Sequence, residues 1–182
     1  SLWSADKRKG GKRPRTHQLT ALENWEKIGK RGILEHATGS GKTFTAMCAI
    51  RKELELNHPV LILVPSIGLL NQWKSELEEM FSDIPIEYLI CGDRNTQWRE
   101  GQTLKTFTSP KLKKYKRITI STMQTASSES FIEKLYNSEE LMVVADEVHR
   151  MGSLENRKFF SVKSGARLGL SATPRRYGDV IG

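Results

Sequence analysis

The stretch "LEHATGSGKTFTA", Leu34 to Ala46, decides how the rest of the chain is read. Within it, "ATGSGKT" (37–43) follows an apolar run and opens a helix-forming run, the context a phosphate-binding loop requires. Gly39 and Gly41 let the backbone approach a phosphate closely, and the N–H groups of this loop and the following helix start form an anion cradle. Thr38, Ser40 and the two glycines are therefore candidate nucleotide contacts. Lys42 would place a positive charge on the β and γ phosphates, and Thr43 would offer a hydroxyl to Mg²⁺. The general pattern G-x-x-x-x-G-K-[ST] puts a first glycine at position 36, where this chain has His36.

Outward from the loop, short apolar runs alternate with helical spacing. Residues 32–37, 60–65, 86–90, 117–122, 141–146 and 166–172 read as strands, and three of them are nearly continuous apolar runs. Strands buried on both faces have that character, which favours a parallel sheet covered by helices. Helices fit between them. One runs over 16–28 with Thr16 as cap, one over 42–56, and one over 66–81 with Ser66 as cap. The expected fold class is α/β, a three-layer sandwich with helices on both faces of a mostly parallel sheet, whose ligands bind at the carboxyl ends of the strands. Residues 92–116 show little periodicity and are long for a plain connection, so a functional or mobile role is expected there.

The run "LMVVADEVH" (141–149) ends an apolar strand in two acids, at the end of the sheet where a ligand lies. A hard cation on phosphates needs a carboxylate, usually through water, and Asp146 fits that need. Attack on a γ-phosphate needs a positioned water, and Glu147 fits as its base or orienter. His149 has no second His or Cys at ligand spacing, so metal binding is not expected of it.

The 182 residues carry a net charge of +8. Residues 1–16 account for +5 and residues 102–117 for +6, leaving −3 elsewhere. Confined basic segments are expected where a surface meets phosphates, and equally of solvated flexible stretches. Cys48 and Cys91 have no CxxC neighbour, so they read as small buried residues in a reducing, cytoplasmic setting. There is no signal-peptide pattern and no run of the ~18 apolar residues that a membrane span requires. Trp25 and Trp73 read as packing residues. Trp98, in the irregular segment, reads as packing or as a base-stacking platform.

Taken together, "ATGSGKT", "DEVH" and "SAT" in this order resemble the first motor domain of superfamily 2 helicases and translocases. In that family the loop often opens with Ala, here Ala37, so His36 is no defect. The resemblance implies a RecA-like, P-loop NTPase domain over 13–182, preceded by a basic segment over 1–12, with ATP and Mg²⁺ as cofactors. It makes Lys42, Asp146, Glu147 and His149 the catalytic set, with His149 linking the acid pair to other motifs. "RTHQLTAL" resembles the element in which a Gln, here Gln18, reads adenine. "LVPSIGLLNQW" and "ISTMQTA" resemble motifs Ia and Ib, which contact a nucleic-acid backbone. That implies contacts at Pro65, Ser66, Thr122, Met123 and Gln124, to which the basic run adds Lys111, Lys113 and Lys114. "GLSATPRR" resembles motif III, so Ser171, Ala172 and Thr173 would couple the two sites. The closest-looking subgroup is that of restriction-enzyme and duplex-DNA repair motors, so DNA is expected rather than RNA. The family's engine has two such domains, and the second supplies arginines worth roughly 10³ to 10⁵ in rate. The chain starts without Met and no second such unit follows, so it is expected to be a fragment, weakly active or inactive alone. Two other functions stay open: a P-loop metabolite kinase, and a non-catalytic scaffold that kept the fold.

Overall fold

The computed structural model describes residues 13–35, 39–111, 114–150 and 152–171. The six strands are β1 (Arg31–Glu35), β2 (Val60–Val64), β3 (Ile86–Cys91), β4 (Lys116–Thr122), β5 (Met142–Ala145) and β6 (Arg167–Ser171). They form a single sheet in the order β1-β6-β5-β2-β4-β3, and every neighbouring pair is parallel. All six carboxyl ends therefore share one rim.

Seven helices cover the sheet among the described residues: α1 (Thr16–Lys27), α2 (Gly39–Glu55), α3 (Ile67–Met80), α4 (Thr103–Thr108), α5 (Met123–Ala126), α6 (Glu129–Lys134) and α7 (Leu154–Phe160). The two-residue period of a strand sorts each side chain to one face. On β2, Val60, Ile62 and Val64 join a core with Leu22 and Trp25 of α1, Met47, Ile50 and Leu54 of α2, and Leu70, Trp73 and Leu77 of α3. Leu61 and Leu63 face the other way, into a second core with Trp98, Leu104, Phe131 and Phe159. Central β2 is buried at every position, which is why it reads as a continuous apolar run. None of the described helices is long and apolar enough to cross a membrane.

Three expectations need adjusting. Thr16 is not the cap of α1. Arg15 holds that position, and its N–H donates to Oε1 of Gln18 at 2.8 Å, which supplies the reciprocal bond of a capping box. Helix α2 begins at Gly39, three residues before Lys42, so the glycine-rich loop already forms its first turn. The segment after β3 is ordered: it holds a 3-10 turn (Gln97–Arg99) and α4, and Trp98 is buried at 1% exposure with its ring 5.3 Å from that of Phe131. A buried indole cannot serve as a stacking platform for a base. Cys91 is buried and Cys48 half-buried.

Candidate nucleotide and nucleic-acid site

The site is built where the strands end. Helix α2 packs against β5 and β6, bringing its first turn over the rim. The first four N–H groups of a helix have no acceptor within the helix, so the turn from Gly39 to Lys42 presents donors and the positive end of the helix dipole. Lys42 is 5% exposed and Thr43 half-buried in the same turn. Withdrawal of an ammonium from water calls for an anion beside it, which phosphates would provide. Gln18 is buried beside this turn, and its Nε2 donates to the Gly41 carbonyl at 3.2 Å. Thr45 Oγ1 donates to the same carbonyl at 2.7 Å.

Asp146 follows the last residue of β5 and keeps the strand's alternation, so it shares the α2–α3 face with Val144. Its N–H donates to the Leu63 carbonyl at 2.9 Å, which prolongs the pairing with β2. Asp146 is 7% exposed, and both carboxylate oxygens are held. Oδ1 accepts from the Glu147 N–H at 2.8 Å, and Oδ2 accepts from the Trp73 indole Nε1–H at 2.8 Å. Glu147 then takes a left-handed backbone conformation, φ 48°, which turns the chain sharply off the strand end. Its Oε2 accepts from Arg150 Nη1 at 2.7 Å. His149 Nδ1 lies 3.3 Å from Ser171 Oγ, so the acid-pair segment and the end of β6 are in contact.

The residues assigned to a nucleic-acid backbone fall on the same rim. Register pairs Val64 with Thr122, so Pro65 and Ser66 leave β2 beside Met123 and Gln124, which leave β4. Ser66 and Thr122 are both helix N-caps, accepting from the Leu69 and Thr125 N–H groups at 3.3 Å each. Gln124 is exposed, whereas Met123 is buried in the core.

Lys111 and Lys114 do not join them. Lys114 lies two residues before β4 and Thr122 ends it, and the strand between, Lys116 to Thr122, spans about 20 Å at the rise of a strand. Lys111 lies over the Tyr136 ring, 5.7 Å away, just after α6. Two charges of the run serve the fold. Lys116 donates to Asn57 Oδ1 at 2.7 Å, and buried Arg117 donates to the Thr106 and Ser109 carbonyls at 3.0 and 2.6 Å. Lys113, Thr38, Ala172 and Thr173 lie outside the described residues.

Oxygen ligands suit magnesium, and the rim offers two hard oxygen groups, the Thr43 hydroxyl and the buried Asp146 carboxylate. No group of three or more His, Cys, Asp or Glu side chains is placed to hold a metal among the described residues, so phosphate and water oxygens would complete its shell. Two features of the site were not read from the sequence. Trp73 sits on the apolar stripe of α3, which signals burial but not a polar partner. Arg150 stands three residues after Glu147, a spacing that permits an ion pair but does not single it out.

The sequence profile of a family described as type III restriction enzyme, res subunit, matches residues 11–176. A relative from Halobacterium salinarum, named "Putative DNA 3'-5' helicase Rad25", is 33% identical over 148 residues, 81% of this chain and 21% of its own. Among solved structures, a nuclease-deletion mutant of the type ISP restriction-modification enzyme LlaGI, in complex with a DNA substrate mimic, superposes with a TM-score of 0.64. It is 26% identical, and the match covers 91% of this chain and 18% of that one. The Hef helicase domain of Pyrococcus furiosus has a TM-score of 0.68 at 20% identity, over 91% of this chain and 34% of that one, a likeness of fold alone. The chain spans between a fifth and a third of the length of the curated relatives that it matches along most of its own.

Proposed function

We propose a function from one premise: the chain belongs to the family described as type III restriction enzyme, res subunit, as a RecA-like first motor domain of the superfamily 2 type. It binds ATP with magnesium and, with a second RecA-like domain of the same parent protein, hydrolyses it to move along a nucleic-acid strand. DNA is the favoured strand, because relatives that match along most of the chain are named for DNA and the LlaGI neighbour was solved on a DNA mimic. The observation that carries this reading is the convergence of Lys42, Asp146, Glu147, the His149–Ser171 contact and the Ser66 cap on one rim of a parallel sheet.

In this reading the first turn of α2 and Lys42 receive the β and γ phosphates. Thr43 and Asp146 hold magnesium, largely through water. The metal would neutralise developing charge on the phosphates. Glu147 orients the attacking water, and its backbone at φ 48° turns the chain off the end of β5 at that point. Gln18 would exchange its bond to Gly41 for the adenine edge. Ser171 and His149, with Ala172 and Thr173 beyond, would transmit the state of the nucleotide to the strand over Pro65, Ser66, Thr122, Met123 and Gln124.

Lys42→Ala and Glu147→Gln in the parent protein are expected to lower DNA-stimulated ATP hydrolysis by about 10²-fold or more. Hydrolysis at the unmodified rate in either variant would refute the assignment. A scaffold would show no loss because it has no activity to lose, and a metabolite kinase would transfer phosphate to a small acceptor without any need for DNA.

A further inference from the structure

Trp73 and Asp146 are far apart in sequence and joined by one buried bond. The indole Nε1–H donates to Oδ2 at 2.8 Å, with Trp73 2% exposed and Asp146 7%. A buried indole N–H must find an acceptor, and a backbone carbonyl would serve. Here the acceptor is the carboxylate assigned to magnesium, which makes the bond charge-assisted. With Oδ1 already accepting from the Glu147 N–H, the plane of the carboxylate is fixed at both oxygens. The indole itself is locked between Leu70 and Leu77 on the apolar stripe of α3, within a fully packed core. Helix α3 begins after the Ser66 cap on the rim, and Trp73 stands seven positions beyond Ser66, about 10 Å along the axis. One rigid rod therefore carries a strand-facing cap and a donor to the nucleotide site.

We propose that Trp73 is a positioning residue for Asp146, fixing the orientation in which this carboxylate receives the magnesium–nucleotide complex. The proposal rests on the reading of Asp146 given above. Groups behind a metal ligand commonly change metal affinity by about 10- to 100-fold when removed.

The test replaces Trp73 in the full-length protein by phenylalanine, and separately by benzothienylalanine, which keeps the ring shape and lacks the N–H. A fluorescent ADP is titrated with Mg²⁺, and its binding is also measured in EDTA. Both variants are expected to raise the Mg²⁺ concentration at half-effect by about tenfold, with affinity in EDTA unchanged. A benzothienylalanine variant that titrates like the unmodified protein overturns the proposal. So does one that loses affinity equally with and without Mg²⁺, since that describes a loosened core. Asp146→Asn separates the two levels. If it shifts the titration and the tryptophan variants do not, only the positioning role falls. If it too leaves the titration unchanged, the magnesium assignment falls and the proposal with it.

Discussion

A Cβ at Gly165 would lie 1.8 Å from the carbonyl oxygen of Glu139, a distance no side chain tolerates. The neighbour is backbone just before β5, so relief requires moving the chain. Gly165→Ala is expected to destabilise by about 2 kcal/mol or more, read as a lower urea midpoint. Gly152 has open space around its missing Cβ, so Gly152→Ala is expected to cost nothing and to serve as the control. Residue identity was well legible in the sequence where chemistry restricts the choice. That Lys42, Thr43, Asp146 and Glu147 would stand at the carboxyl rim was legible, because each pair follows the end of an apolar strand run. Trp73 was legible only as a buried position. Helical period reports which face a side chain occupies, and it is silent on a carboxylate 73 positions away that meets its one polar atom.

At the scale of elements, every strand falls within a residue or two of the apolar runs: β2 is apolar and buried at each position, and in β4 Ile118 and Ile120 carry the pattern although Thr119 and Ser121 are buried between and beside them. The segment between β3 and β4 resisted reading for the opposite reason. Its order comes from tertiary ties, namely Trp98 against Phe131 and Arg117 reaching back to the Thr106 and Ser109 carbonyls, and neither tie has a sequence period. The charge of the run 102–117 suggested a phosphate-facing surface, yet a buried guanidinium and a lysine bound to Asn57 are part of it. Ser66 gives a prediction at this scale because it serves both helix and rim. Ser66→Ala should lower stability by about 1 kcal/mol through loss of the cap. Ser66→Asp keeps a capping oxygen but would set a negative charge beside the phosphate backbone of the proposed track. Thermal unfolding is expected to stay near that of the unmodified protein in Ser66→Asp, while DNA affinity falls; unchanged affinity would remove Ser66 from the track.

For the whole molecule, alkaline pH probes the burial of three weak acids. Burial pushes the Cys48 thiol from 9.0 up to about 11 and the Tyr88 phenol from 10.0 up to about 12, and it raises the Cys91 thiol further still. In each case the folded state holds its proton more tightly than the unfolded chain. The stabilisation is complete below the unfolded values and is lost as pH rises from about 9 through the folded ones. Urea unfolding at pH 10 is expected to give a stability lower than at pH 8 by on the order of 2 kcal/mol, mostly from the thiols. Substituting Cys48 and Cys91 by alanine should flatten that slope even if the absolute stability falls. The thiols should also resist alkylation at pH 8 until the protein unfolds, because the thiolate is the reactive form.

An all-parallel sheet has two unlike rims. The strands begin at Arg31, Val60, Ile86, Lys116, Met142 and Arg167, and that end carries none of the residues assigned to ATP or to motifs Ia, Ib and III. Ile28 and Leu56 close α1 and α2 there, and Tyr115 enters β4, all three well exposed. This is the end by which the molecule can be held. A dye, a surface tether or a fused reporter attached at Leu56 sits at the rim opposite the proposed nucleotide and DNA contacts, so the proposed movement along DNA would be tested with the handle away from those residues.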